Sequence, residues 1–409
     1  MSQQHSAVAP GPAVIRRARM SVGAVFALHG AAQGSFATRI PWIKDQLDLS
    51  TAVLGLALAF PAIGASVAMP LASRIMHRYG ALAAVRGLLA LWCGALALPA
   101  LAPSLVALCA VLTLFGATAG MADVAMNAQG VDVENHHGRS IMSGLHGRWS
   151  VGTLLGAAVG VAAVHAGLDA RVHLGLAALA LTAAVPLAAR GLLDVRPAPD
   201  EAPPPHFTLP PRSALLIGAV GMCAILAEGG SADWSGVYLE EITAASETVA
   251  AASYTAFACT MAAARLAGDA AVRRLGPVRA VRASGALAVL GGLLVVTARE
   301  PAQGIAGFGL LGVGIAVVVP LAFAAAGRSG PNPSQAIAGV ATVTYTTGLI
   351  APTLVGVIGE AASLRASFAV VTAATAVLVV GAGVLGTPTR SAPVASSGHA
   401  ARGAGDLPG

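Results

Sequence analysis

The chain has 409 residues, of which 56% are hydrophobic and only 10% charged, with a mean hydropathy of +0.76. Soluble chains carry about 25% charged residues, so this composition excludes an ordinary cytosolic enzyme and a disordered protein. The net charge of +6 comes from arginines clustered between apolar runs, with Lys44 the single lysine; that is loop charge on a membrane protein, and no extended basic face exists to follow nucleic acid.

A bilayer core takes about 20 apolar residues per helix. The first 19 residues are polar and end in Arg16, Arg17 and Arg19, so 1–19 reads as an N-terminal tail. The apolar run that follows is too long for a signal-peptide core and lacks a cleavage site, so it reads as a retained span. Twelve such runs follow one another. In the first half they lie near 20–41, 52–73, 81–101, 104–128, 142–167 and 171–193. The second half places them near 213–238, 248–271, 279–298, 303–326, 335–359 and 365–386. Between the sixth and seventh, residues 194–212 hold seven prolines, which forbid a spanning helix and mark a linker. Residues 387–409 are rich in Pro, Ser, Gly and Ala and read as a disordered tail.

With the N-terminus in the cytoplasm, 19 of the 24 Lys and Arg residues fall on the cytoplasmic side and five on the other. That asymmetry is the positive-inside pattern. It predicts both termini inside and an even number of crossings. The two halves also repeat at a shift of 196 residues. Arg78-Tyr79-Gly80 meets Arg274-Leu275-Gly276, Val85-Arg86 meets Val281-Arg282, and Trp149 meets Tyr345. The sequence therefore predicts an all-α membrane protein: a 20–193 bundle and a 213–386 bundle, pseudo-symmetric, with substrate sites in the cleft between them.

An ionisable group inside a membrane helix is costly and marks function. His29 and Gln33 in the first span share one helical face, as do Asp123 and Asn127 in the fourth. Glu228 in the seventh precedes Gly229-Gly230, a pair that weakens the helix beside the carboxylate and suggests a discontinuous helix there. Glu228 is the leading candidate for a titrating group, and His29, Gln33, Asp123, Asn127, Glu228 and Asp233 form the candidate substrate and proton pathway. Arg39, His146, Arg148, Arg265 and Asp269 are candidates for gates and charge pairs, with Asp123–Arg148 and Arg265–Asp269 as natural partners and Asp233 within reach of Arg39. Trp42, Trp234 and Tyr238 read as interfacial anchors. Gly152-x3-Gly156-x3-Gly160 lets two helices approach closely. Cys93, Cys109, Cys223 and Cys259 lie in apolar runs and read as packing residues. No nucleotide, hydrolase or metal motif is present, so neither an enzyme nor a cofactor is expected.

These features resemble the major facilitator superfamily across about residues 20–386. The family's loop signature runs Gly-x3-Asp-Arg-x-Gly. Here Arg78 and Gly80 fit, but Ser73 and His77 replace the first glycine and the aspartate; the second copy keeps Arg274 and Gly276 with Arg273 at the acid position. Any latch that uses the missing acid must be built differently. Arg39-Ile40-Pro41, Ala122 to Gly130 and Glu228 to Trp234 are similar to a poorly characterised bacterial inner-membrane subgroup. The Gly-Pro motif of drug/proton antiporters is absent from the fifth span. The resemblance implies a secondary carrier of the inner membrane, working by alternating access on a small molecule it does not identify. The two isolated acids Glu228 and Asp123 in otherwise apolar helices point to H⁺ as coupling ion, and a monomer suffices for this fold. The competing reading is a non-transporting sensor or scaffold on the same fold.

Overall fold

The computed structural model describes residues 11–49, 51–195, 211–329 and 332–386. Most of the expected linker, residues 196–210, lies outside the described residues, as does the expected tail 387–409. The first half holds α1 (Pro12–Ala37), α2 (Ile40–Gln46), α3 (Thr51–Ala57), α4 (Phe60–Tyr79), α5 (Ala81–Ala95), α6 (Leu105–His137), α7 (Met142–His165) and α8 (Ala170–Ala188). The second holds α9 (Arg212–Thr243), α10 (Glu247–Leu275), α11 (Pro277–Val296), α12 (Pro301–Ile315), α13 (Val318–Ala326), α14 (Pro333–Ala361) and α15 (Leu364–Gly381). With α3–α4 and α12–α13 each counted as one broken span, and the short α2 set aside, these make twelve crossings. Among the described residues nine segments have the length and hydropathy of a crossing. The other three are α1, α3–α4 and α10, whose apolar runs are diluted by His29 and Gln33, by Arg74, His77 and Arg78, and by Arg265, Asp269, Arg273 and Arg274.

Local chemistry fixes the helix ends. Ser104, Asp169 and Ser363 cap α6, α8 and α15 by accepting from the backbone N–H groups of Ala107, Arg171 and Ala366. Gly80 and Gly276 end α4 and α10 at φ 81° and 76°, a backbone region open to glycine and strained for other residues. These two glycines are 196 residues apart. The same shift relates Asp48 and Ala244, which share left-handed φ values of 50° and 52°. The repeat read in the sequence is therefore also a repeat of backbone conformation.

Helix pairing repeats too. In the first half α1 packs on α7, α4 on α6 and α5 on α8; in the second α9 packs on α14, α10 on α12 and α11 on α15. The glycine ladder of α7 lies against α1. A methyl group at Gly152 or Gly156 would strike the carbonyl of Ala27 or Ala31, and one at Gly30 or Gly34 would strike that of Trp149 or Thr153. Such backbone-to-backbone approach is how membrane helices associate when lipid is as apolar as leucine.

The two halves meet along α4–α14 and α7–α10, with α6 also against α14 and α13 against α7. We call the membrane face that holds Pro12, Gly80 and Arg212 the linker side: Ala81 N–H donates to the Val195 carbonyl at 3.0 Å, and Ser213 Oγ to that of Ser329 at 3.4 Å. One expectation fails at α9. It runs unbroken from Arg212 to Thr243 through Gly229-Gly230. Those glycines serve packing instead: a methyl at either would sit 3.2–3.3 Å from Ala351 or Val355 of α14. The breaks fall elsewhere, at Leu58-Ala59 and at Ala316-Val317.

Candidate functional site

A cavity of about 280 Å³ lies between the halves. The first half contributes Ala62 of α4, Asp123 and Met126 of α6, and His146 and Trp149 of α7. From the second come Glu228 of α9, Arg265 of α10, Phe323 of α13, and Thr344 and Tyr345 of α14, among others. A neighbouring cavity of about 220 Å³ shares Trp149, Glu228 and Arg265 and reaches Tyr254 and Cys259 of α10.

Two polar systems face this space. Glu228 and Arg265 form an ion pair, with Arg265 Nη2 donating to Oε2 at 3.1 Å and to Oε1 at 3.3 Å. Arg265 is buried, whereas the Glu228 side chain keeps 29% exposure. Asp123, across the cavity, meets an amide: Asn127 Nδ2 donates to Asp123 Oδ1 at 3.1 Å and to its backbone carbonyl at 2.9 Å. Asn127 Oδ1 in turn lies 3.1 Å from His146 Nε2. With the amide nitrogen turned to Asp123, that imidazole nitrogen is the donor. Asp123, Asn127 and His146 thus form one chain of hydrogen bonds across α6 and α7.

His29 sits behind the wall of the cavity. Its Nδ1 accepts from the Trp149 indole N–H at 3.0 Å, and its Nε2 lies 3.3 Å from the Ala119 carbonyl. An acceptor at Nδ1 requires the proton on Nε2, so the hydrogen bonds fix a neutral tautomer. The ring stacks on Trp92 at 5.1 Å, and Trp92 Nε1 donates to the His29 carbonyl at 3.2 Å. Through these bonds His29 is tied to the cavity-lining Trp149.

Several expected partnerships are replaced by others. Asp123 pairs with Asn127 and not with Arg148, which lies in a separate linker-side pocket beside Arg19 and Arg273. Arg265 pairs with Glu228 and not with Asp269, because its long side chain reaches along the helix into the cavity. Arg39 Nε donates to His173 Nδ1 at 3.0 Å, while Asp233 is exposed on α9. Gln33 is half-buried and outside the lining of both cavities. Tyr238 is buried at 0% exposure, its hydroxyl donating to the Val295 carbonyl at 2.6 Å, so it is a core residue and not an interfacial anchor. Cys259 is exposed, unlike buried Cys93 and Cys223.

Trp149, Tyr345, Phe323 and Met126 were not singled out as site residues. A signal existed for the first two, since Trp149 and Tyr345 match in the repeat of a chain with only 4% aromatic residues. Phe323 gave none, because its position depends on the break before α13.

On the linker side the halves are joined. Asp269 of α10 accepts from the N–H groups of Ser143 and Gly144 in the first turn of α7, at 3.0 and 2.9 Å, and from Ser140 Oγ at 3.3 Å. It caps a helix of the other half. Ser143 Oγ donates to the Arg265 carbonyl at 2.7 Å. Glu134 accepts from Ile141 and Met142 N–H and pairs with Arg328 of the second half at 3.4 Å. Small residues permit the approach, since a methyl at Gly268 would strike Ser143 and one at Gly327 would strike Val131. Further from this face the halves share the Ser66–Thr346 hydroxyl contact at 3.2 Å. Arg78 lies 5.5 Å over the ring of its neighbour Tyr79, and Arg274 is exposed. His77 and Arg273 stand at the signature's acid positions; Asp269, one turn before Arg273, and Glu134 are acids that join the halves here.

Among the described residues no group of three or more His, Cys, Asp or Glu is arranged to hold a metal ion. The profile of the Major Facilitator Superfamily matches residues 22–227. An uncharacterized transporter, y4wD, of Sinorhizobium fredii is 35% identical over 89% of this chain and 97% of its own length. An uncharacterized MFS-type transporter of Yersinia pestis is 33% identical over 86% of this chain and 91% of its own. The solved structure of the transporter FucP in the outward conformation shares the fold at a TM-score of 0.74 and 16% identity, covering 90% of this chain and 98% of that one. Fold, profile and relatives agree, and the chain belongs to the Major Facilitator Superfamily of membrane transporters.

Proposed function

We propose that this transporter is a proton-coupled secondary carrier that moves a small molecule through the central cavity by alternating access. The observation that carries the reading is the pairing of charges around that cavity. Among the described residues Glu228 has a cation beside it, whereas Asp123 has an amide and no cation. A buried carboxylate left without a counter-charge is costly to keep ionised, so it takes up a proton readily and gives it up only when the site opens to water or gains a cation. Asp123 therefore replaces Glu228 as the leading proton site, with Asn127 and His146 as its hydrogen-bonded continuation. Glu228 and Arg265 orient cargo: Arg265 keeps a buried Nε–H without a protein acceptor, and Trp149 and Tyr345 offer aromatic faces from the two halves.

The contacts that close the linker side support a carrier caught with that side shut. Opening requires Asp269 to leave the α7 terminus and Arg328 to leave Glu134. The positive-inside count supports a cytoplasmic linker side, with both termini in the cytoplasm of a bacterial cell and the protein in its inner membrane. A neighbour named as the E. coli fucose:proton symporter is alike in fold alone. The proton reading therefore rests on this chain's own carboxylates.

The test begins with ligand stabilisation of purified protein by sugars, organic acids, amino acids and antibiotics. Any stabilising compound is then followed in proteoliposomes with an imposed pH gradient. Gradient-driven movement, abolished in Asp123→Asn, is the expected result. Movement that ignores the gradient and survives both Asp123→Asn and Glu228→Gln would refute it.

A further inference from the structure

A separate pocket, of about 350 Å³, lies on the linker side where the two halves meet. Its lining holds four guanidinium groups, Arg19, Arg139, Arg148 and Arg273, with His137, against a single carboxylate, Asp269. That carboxylate is already engaged by the Ser143 and Gly144 N–H groups and by Ser140 Oγ. Of the four arginines, Arg273 has one long contact, Nη1 to the Ser140 carbonyl at 3.5 Å. Arg148 is half-buried and runs across α1 at Gly23, where a methyl group would sit 2.7 Å from its Cδ. The fold thus cuts back a helix surface to seat a cation inside a group of cations. Four guanidinium groups against one carboxylate leave an excess of positive charge around one volume, which a further anion would offset.

We propose that this pocket binds a phosphate group that bridges the two halves. Arg19, Arg139 and Arg148 come from the first half and Arg273 from the second. Guanidinium groups present the forked donors that match phosphate oxygens. The same chemistry is offered by free phosphate and by the headgroup of an anionic phospholipid, a known occupant of basic pockets at this membrane face. The site is complete only while the linker side is closed, so a bound phosphate favours that state by linkage. The inference is independent of what the central cavity carries.

The test uses full-length protein in nanodiscs. In phosphatidylcholine discs, pyrophosphate is titrated by calorimetry and by thermal unfolding. In a parallel arm phosphatidylglycerol replaces part of the lipid and pyrophosphate is left out. Arg139→Gln/Arg273→Gln alters two exposed side chains and leaves the packing intact; Arg148→Gln is the second variant. Stabilisation of the wild-type protein in either arm, weakened about tenfold or more in the double variant, supports the site. A response to pyrophosphate identifies the free anion, and a response to phosphatidylglycerol alone identifies the lipid headgroup. No stabilisation in either arm, or an equal response of the wild type and both variants, overturns the proposal.

Discussion

Asp269→Ala tests the linker-side latch. The substitution removes a carboxylate that caps α7 from the other half through the Ser143 and Gly144 N–H groups and Ser140 Oγ. Loss of an N-cap costs about 1 kcal/mol, loss of a negative charge at a helix N-terminus about 0.5 kcal/mol, and loss of the hydroxyl hydrogen bond about 1 kcal/mol. All three act on the closed state, because the contacts cross between the halves. A destabilisation of about 2.5 kcal/mol changes the closed-to-open ratio roughly 60-fold. A ratio of about 100 to 1 would become about 2 to 1. Spin labels at Tyr79 and Leu275 report the change: both are exposed, both lie on the linker side, and the repeat relates them. In a cysteine-free background the wild-type protein should give one short distance. Asp269→Ala should add a longer one of comparable weight, with Asp269→Asn between the two because its amide oxygen still caps. A distribution unchanged by Asp269→Ala would refute the reasoning.

Gly156→Val should lower stability by about 2–3 kcal/mol, as for overpacking, because the new side chain strikes the Ala31 carbonyl; Gly87→Ala, which meets nothing within 4 Å inside α5, should not lower thermal stability. Glu228→Gln should destabilise by about 2 kcal/mol, since it strands the buried Arg265 guanidinium while Glu228 itself is partly exposed. The double variant Glu228→Gln/Arg265→Gln should recover most of that loss in an unfolding assay, and failure to recover would mean the pair is not the main interaction. A small maleimide should label Cys259 and spare Cys93, read by mass spectrometry of native protein; labelling of both at equal rates would contradict the packing.

The fold was legible because lipid imposes a simple rule: twelve apolar runs, a proline-rich gap and one-sided arginines leave few alternatives. The repeat was legible where backbone conformation demands a residue type, as at Gly80 and Gly276. Partner choice was not. Spacing along one helix suggested Arg265–Asp269, but a side chain as long as arginine reaches across helices, and Glu228 lies nearer its tip. Asp269 was visible as an acid but not as a cap, because the helix it caps is 126 residues away in sequence. Separation in sequence also hid His29, whose partners Trp92 and Trp149 come from α5 and α7. Gly229-Gly230 misled because a glycine pair reads as a break in isolation and as a packing surface against α14.

The central claim is that the halves swing about the cavity, closing one side as the other opens. Two label pairs test it in the same lipid bilayer: Tyr79 with Leu275 on the linker side, and Asp45 with Glu241, also related by the repeat and exposed, on the opposite side. Distances are measured across a pH range that spans protonation of Asp123, in the wild type and in Asp123→Asn. The account predicts that one pair lengthens as the other shortens, and that Asp123→Asn fixes the balance at all pH values. Two distances that stay constant, or that lengthen together, would contradict it.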